Sequence, residues 1–347
     1  MKETQISLKP KARATRLEQD SLGEREVPSE VYYGIQTLRA LENFPISGLK
    51  PHPRFVWATA VVKRAAAEAN MAVDQLDPQI GQAIVQAAQE IIEGRWSDQF
   101  LVDVFQAGAG TSHTMNANEV LANRAIEILG GQKGDYRLVH PNDHVNMAQS
   151  TNDVFPTAMR LAGLSLLEEL YSSLEELETA LASKGVEFKE VVKSGRTHLQ
   201  DAVPVTLGQE FQAYAHSVGR NIRFLKEAAQ SLLTLNIGAT AAGTGLNAHP
   251  LYRSNAVERL RALTGFEFEA ADAPMEAAQS TTDFAHVSSA LRSLALDLIR
   301  LANDLRLMSS GPRTGLGEIN LPAVQPGSSI MPGKVNPVIA EVTDMVC

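Results

Sequence analysis

Four polar, glycine-rich segments carry the residues that could do chemistry. Gly327-Ser328-Ser329 and Lys334-Val335-Asn336 put hydroxyls, an ammonium and an amide on one loop. That inventory suits a bound carboxylate and a proton-accepting oxygen. Upstream, Ser194 to Thr206 (SGRTHLQDAVPVT) presents Arg196, Thr197, His198, Gln200 and Asp201 between two helical runs. A histidine flanked by Thr and Arg is a reasonable proton carrier or substrate donor. Ser150, Thr151 and Asn152 stand consecutively, with Pro156 shortly after to start a long helix. Three adjacent polar side chains at a helix N-terminus form a setting for a carboxylate or oxyanion. Gly108 to Glu119 (GAGTSHTMNANE) brings Thr111 and Ser112 near another helix start, where hydroxyls cap and free N–H groups hold anions. Read alone, each segment is equally an ordinary cap or surface loop.

Other motifs fail on inspection. Gly327 to Lys334 differs from a P-loop, because five residues rather than four separate its glycines and Val335 replaces the hydroxyl residue that binds magnesium. No Gly-x-Gly-x-x-Gly follows a strand, so a dinucleotide fold has no support. His140 and His144 have helical spacing, but Pro141 argues against a helix there, and the Glu of a His-Glu-x-x-His zinc motif is missing. No metal and no cofactor are expected.

The elements that position these segments are mostly helical. Residues 54–73 and 80–94 are rich in Ala, Glu, Gln and Lys, with apolar residues three and four apart. The pattern returns over 157–184, about 206–236 and about 283–309, all longer than the usual helix of about 11–12 residues. Such helices are stable side by side, each burying an apolar stripe. ALRSLALDLIRLANDLRLM is apolar on more than one face, which predicts burial on several sides in a large bundle or between subunits. REVPSEVYYGI and RLVHPNDHVNM (137–147) are the candidates for short extended pieces. The expected architecture is mainly α: a smaller mixed N-terminal domain over 1–150, then a long-helix bundle over 151–347 containing an irregular loop at 310–337. The Ser309–Val338 stretch exceeds the roughly 12–15 residues beyond which a structureless loop is usually functional or disordered. Its Ile319, Leu321, Ile330, Met331 and Val335 argue that part of it packs.

Composition narrows the function classes. The 347-residue chain has 31 Lys plus Arg against 40 Asp plus Glu, a net charge of −9, which argues against a nucleic-acid binder. Hydrophobic residues at 44% are too many for disorder. Cys347 is the only cysteine, so a disulfide framework and a Cys-based zinc site are excluded, and a reducing cytoplasm fits. The first twenty residues are polar, without the apolar core of a secretory signal, and no window approaches the roughly 18 apolar residues of a membrane helix.

Taken together, the four segments resemble the fumarase/aspartase superfamily. Gly327-Ser328-Ser329-Ile330-Met331-Pro332-Gly333-Lys334-Val335-Asn336-Pro337 is similar throughout to its signature loop, a very specific signal. GAGTS, QSTND, GRTHLQDAVPVTLGQEF and the signature follow in the family's order along nearly the whole chain. RLEQDSLGEREVPSEVYYGIQTLRALENFPISG, Ala109 and Thr151 resemble the aspartate ammonia-lyase branch, whereas HPNDHVNM and FPTAM lean toward fumarases.

The resemblance implies anti elimination of ammonia from L-aspartate to fumarate, reversibly and without a cofactor. It implies Ser328 as the base beside the side-chain carboxylate, which Thr111, Ser150, Thr151 and Ser329 would hold. Lys334 and Asn336 would hold the other carboxylate; Asn152 and His198 would face the amino group, and Thr197 would be a further substrate-binding residue. In fumarases the matching His pairs with a Glu at the position of Glu341. A homotetramer with each site built from three subunits is implied too. The partner is a small dicarboxylate, with neither nucleic acid nor membrane. One departure stands out: Thr114 occupies a position where the family commonly has Asn. The sequence ends at Cys347, early in an expected helix from about Val338, without the family's small C-terminal domain. Fumarase on L-malate, a lyase for a larger N-substituted aspartate, and a non-catalytic assembly subunit are the competing readings.

Overall fold

The computed structural model describes residues 14–347; the polar reading of the first thirteen residues lies outside the described part. Two compact units divide the chain. One takes the described residues up to Ser165 together with Leu233–Ser280, and the other takes Leu166–Leu232 and Thr281–Cys347.

The first unit opens with an antiparallel hairpin, β1 (Thr15–Asp20) and β2 (Gly23–Pro28), in register from Thr15↔Pro28 to Asp20↔Gly23. Then come α1 (Ile35–Asn43), α2 (Pro53–Ala72), α3 (Pro78–Ile92) and α4 (Thr111–Ile128). The starts of α2 and α3 follow from their sequence. Pro53 and Pro78 take first-turn positions that need no N–H donor, and Asp77 accepts from the N–H groups of Gln79 and Ile80. Ala58, Ala60, Ala65, Ala66 and Ala69 make α2 thin enough to be buried on most sides. Val56, Ile84, Ala87, Val120, Leu121 and Ile126 fill the core of this unit. Glu119 on α4 takes up the N-terminal donors of α1, accepting from Gly34, Gln36 and Thr37 N–H and from the Thr37 hydroxyl.

The long helix α5 (Thr151–Glu187) begins in this unit. Pro156 lies inside it and leaves Asn152 C=O without its helical N–H partner; Asn236 Nδ2 donates to that oxygen at 3.0 Å. After residue 232 the chain returns through β5 (Thr234–Leu235), α7 (Tyr252–Thr264), β6 (Glu269–Ala270), parallel to β5, and α8 (Pro274–Gln279).

The second unit is built on the rest of α5, α6 (Leu207–Ala229), α9 (Thr282–Met308) and α10 (Val338–Val346). Contacts along α5 and α6 run in opposite directions: Gly185 faces Gly208, Gln212 Nε2 donates to Ala182 C=O, and Lys226 pairs with Glu175. Helix α9 is also antiparallel to α6, with Tyr214 bonded to Asp304 and Ser217 and Asn221 to Asp297. Its buried Val287, Leu294, Leu301 and Met308 recur every seventh residue, the seam of bundle packing. The expected long helices over 157–184, 206–236 and 283–309 are therefore present, the middle one ending in a 3₁₀ turn at Gln230–Leu233.

Three local expectations are corrected. Residues 192–206 form a hairpin rather than a loop: β3 (Val192–Thr197) pairs with β4 (Gln200–Thr206), Thr197 opposite Gln200. Its two turn residues, His198 and Leu199, both have positive φ, 53° and 60°, the twist that matches hairpin strands. Residues 137–147 contain no strand; Pro141–Val145 is one wide helical turn. Pro141 opens that turn rather than preventing it, because a first-turn residue donates no helical bond, and His140 Nδ1 accepts from Asn142 and Asp143 N–H. In the irregular stretch after α9 part of the chain packs as expected: Ile319 and Leu321 are partly covered, while Ile330, Met331 and Val335 are exposed.

Candidate active site

In the first unit, two helix N-termini carry the candidate donors. Ala109 and Gly110 both have positive φ, 60° and 80°, so the backbone turns sharply into α4 and presents Thr111 at its start. Gly110 is required there, since a Cβ would strike the ring of Phe155. Phe155 lies one turn into α5, and this contact makes the start of α4 a neighbour of the start of α5, where Ser150, Thr151 and Asn152 stand. Thr111 is exposed, its hydroxyl 3.2 Å from Gly108 C=O. Ser150 Oγ accepts from Asn152 N–H, and Asn152 Nδ2 donates to Ala241 C=O.

Beneath them lies a buried polar layer that sequence reasoning missed. Asp153 accepts from Ser150 N–H at 2.9 Å, Thr240 N–H at 2.9 Å and Gly238 N–H at 3.1 Å. Lys63, fully buried on α2, donates to Asn146 Oδ1 at 2.7 Å and to Gln149 Oε1 at 2.9 Å. Burial pushes the Asp153 carboxyl up to about 6 and the Lys63 ammonium down to about 7. His113 is buried against Phe55 and Phe155, and burial pushes it down to about 3, with the Lys63 charge adding to the shift. A Lys inside the Ala-rich run AVVKRAAA is the one sequence signal for this layer. Thr114 is buried and its hydroxyl donates to Gly110 C=O at 3.2 Å, turned to its own helix.

In the second unit the signature loop closes on itself. Gly327 N–H donates to Lys334 C=O at 2.7 Å, and Asn336 Nδ2 donates to Gly327 C=O at 2.9 Å. Any Cβ at Gly327 would sit 2.6 Å from Asn336 N, so glycine is needed for the closure. Inside this clasp, Ser328 Oγ accepts from Met331 N–H at 3.1 Å and Ile330 N–H at 3.3 Å. Two backbone donors on a hydroxyl oxygen favour its deprotonated form. The clasp thus brings together Ser328, Ser329, Lys334 and Asn336. A cavity of about 370 Å³ adjoins it, lined by Ser309, Ile319, Asn320, Lys334 and Asn336 among others.

Thr197 and His198 are exposed at the tip of the β3–β4 hairpin, and Glu341 lies in the first turn of α10. Among the described residues no hydrogen bond joins His198 to Glu341. No three His, Cys, Asp or Glu side chains converge as metal ligands among the described residues.

The family described simply as Lyase matches residues 23–347. An aspartate ammonia-lyase from Bacillus subtilis is 56% identical over 331 residues, 95% of this chain and 70% of that protein. One from Pseudomonas fluorescens is 52% identical, covering 98% of this chain and 72% of its own length. Among solved structures, a fumarate lyase:delta crystallin from Brucella melitensis superposes with a TM-score of 0.94 at 54% identity, covering 96% of this chain and 73% of that one. A class II fumarase from Schistosoma mansoni gives 0.93 at 38% identity, with 96% and 74% covered. The resemblance read from the signature loop is borne out, and the mainly helical bundle is the fold of these neighbours. With nearly its whole length matched, the chain belongs to the lyase family.

Proposed function

We propose that this chain catalyses the reversible elimination of ammonia from L-aspartate to give fumarate. One contrast carries the choice of substrate: identity above one half to aspartate ammonia-lyases, against 38% to a class II fumarase.

In this reading Ser328 Oγ takes the proton from the carbon beside the side-chain carboxylate. The two electrons left on carbon spread into that carboxylate as a doubly charged aci-carboxylate, which preorganised donors stabilise. Thr111, Ser150, Thr151 and Ser329 supply hydroxyls to it, while Lys334 and Asn336 hold the second carboxylate. The C–N bond then breaks with its electron pair on nitrogen, so the ammonium group leaves as neutral ammonia and needs no proton. Asn152 and His198 face that group, Thr197 is a further substrate contact, and Glu341 is the partner assigned to His198. A serine is a poor base, and each pKa unit by which it is lowered is worth about 1.36 kcal/mol. The Ile330 and Met331 N–H groups on Ser328 Oγ support that role.

A homotetramer with shared sites belongs to the same reading. Leu296, Ile339 and Met345 are 59%, 62% and 77% exposed on bundle helices, apolar surface of the kind that subunit contacts cover. Full activity from a monomer at nanomolar concentration would sink this part. No helix among the described residues is long and apolar enough to cross a membrane, and Cys347 as the only cysteine supports a cytoplasmic setting.

The reverse reaction tests the assignment. Fumarate supplied with ammonium should yield L-aspartate; formation of L-malate alone, indifferent to ammonium, would contradict it.

A further inference from the structure

Glu318 is the only acidic residue between Ser309 and Val338, a stretch otherwise made of Gly, Pro, apolar and small polar residues with Arg313 and Lys334. It is not part of the clasp, and none of the candidate roles above uses it. Its carboxylate nevertheless gathers two cations of the second unit. Arg196 on β3 reaches it with both terminal guanidinium nitrogens, Nη1 to Oε1 and, at 3.0 Å, Nη2 to Oε2. Lys193, three residues earlier on the same strand, pairs with Oε2 at 2.7 Å and with Glu210 on α6 at 2.8 Å. The three side chains of this junction are 9%, 17% and 21% exposed for Lys193, Arg196 and Glu318. The backbone is held as well: Glu318 N–H donates to Met308 C=O at 2.8 Å and Gly317 N–H to Ser310 C=O at 2.8 Å. Residues 309–317 are therefore a closed turn returning to the end of α9.

The geometry has a consequence for the loop. From Glu318 to the clasp at Gly327 the chain is irregular and mostly exposed. The clasp preserves its own internal geometry, but its internal bonds do not fix where it sits. On the α9 side, the last charged attachment before Ser328 is Glu318. That attachment leads to the strand that ends at Thr197, next to His198 in the turn. The Arg196 fork also lies next to the bulge at Gly195, where Val203 C=O leaves no room for a Cβ. One carboxylate thus ties the stem of the signature loop to the hairpin.

We infer that Glu318 is a positioning residue for the reaction: through Arg196 and Lys193 it fixes the stem of the signature loop on the His198 hairpin and so sets the placement of Ser328. It touches no substrate. This role rests on the assignment of Ser328 to the chemistry, and the experiment separates the two.

The measurements use the full chain in its native assembly. Glu318→Gln, Arg196→Met and the double variant are compared with wild type for fumarate formation from L-aspartate and for limited proteolysis within residues 319–337. Glu318→Asp is the conservative control. The expected result for Glu318→Gln is a fall in kcat of about 10- to 100-fold with KM moved much less. Faster cleavage of 319–337 should accompany it, at an unchanged oligomeric state. Arg196→Met should match it, the double variant should be little worse than either single one, and Glu318→Asp should recover most of kcat. Wild-type kcat and wild-type cleavage in Glu318→Gln would overturn the inference. So would a double variant whose losses multiply. A variant that is merely less stable lowers the unfolding midpoint without this split and without rescue by Asp, which also counts against it. An active wild type with an unaffected Glu318→Gln defeats the positioning role alone. An inactive wild type defeats the Ser328 assignment, and the cleavage pattern still decides whether Glu318 holds the stem.

Discussion

The two halves of the candidate chemistry are stabilised in opposite ways. Around Ser150–Asn152 the donors stand on helix N-termini over a buried layer, with Asp153 and Lys63 closed off from water. Around Ser328 the donors sit on an exposed loop whose internal geometry comes from a few short-range bonds, with its stem held at Glu318. Groups in the first region are preorganised by the core, so disturbing them must also disturb folding. Groups in the second are preorganised locally, so they can be disturbed while the bundle stays folded.

That contrast can be broken from several directions. The largest effect belongs to Ser328→Ala, which should lower kcat by about 10²- to 10⁴-fold, the usual weight of a general base. Its unfolding midpoint should stay at the wild-type value; an equal loss of stability would erase the contrast. Next comes Asp153→Ala, which strips the acceptor from the buried Gly238 and Thr240 N–H groups and the half-buried Ser150 N–H, and should cost about 3 kcal/mol. Urea unfolding reads this directly, and a neutral result would show that the buried layer does not organise the first region. A smaller effect is expected for Gly327→Ala. The added Cβ presses on Asn336 N, so turnover should drop about tenfold by loss of clasp geometry, with unfolding unchanged.

A pH test sharpens the same comparison. The Arg196 guanidinium, with Lys193 beside it, holds the Glu318 carboxyl down at about 2 against an ordinary 4.5. A depressed folded pKa contributes stability above pH 4.5 that is lost as pH falls through about 2. Proteolysis of 319–337 by an acid protease should therefore stay slow at pH 4 and accelerate only nearer pH 2. Release already at pH 4 would mean that the anchor is weaker than its geometry. The smallest change is expected at Leu199, held at a φ of 60°. Leu199→Gly should relieve about 1 kcal/mol of left-handed strain and raise the midpoint slightly. A fall would show that the Leu199 side chain earns its conformation through contacts.

Legibility in the sequence followed the range of the interactions. The long helices were readable because apolar residues three and four apart report on the chain's own local geometry. The signature loop was readable because its Gly, Ser, Lys and Asn stand together. The hairpin at 192–206 was not, because its turn places His198 and Leu199 at positive φ where Asn-Gly would be the usual signal. Pro204 within β4 and the exposure of most of that strand further blurred the pattern. Residues 137–147 err in the other direction: Pro141 reads as a helix breaker in the sequence although it opens a helical turn. Lys63, Asp153 and Glu318 were invisible as a group because their partners are distant in sequence. Glu318 is 122 residues from Arg196, and Lys63 is 86 residues from Gln149.

The most direct test of the account follows fumarate by its ultraviolet absorbance, with the wild-type protein given L-aspartate and L-malate in parallel. The account predicts fumarate from L-aspartate and none at a comparable rate from L-malate. Fumarate from L-malate alone would contradict it and make this chain a hydratase built on the same loop.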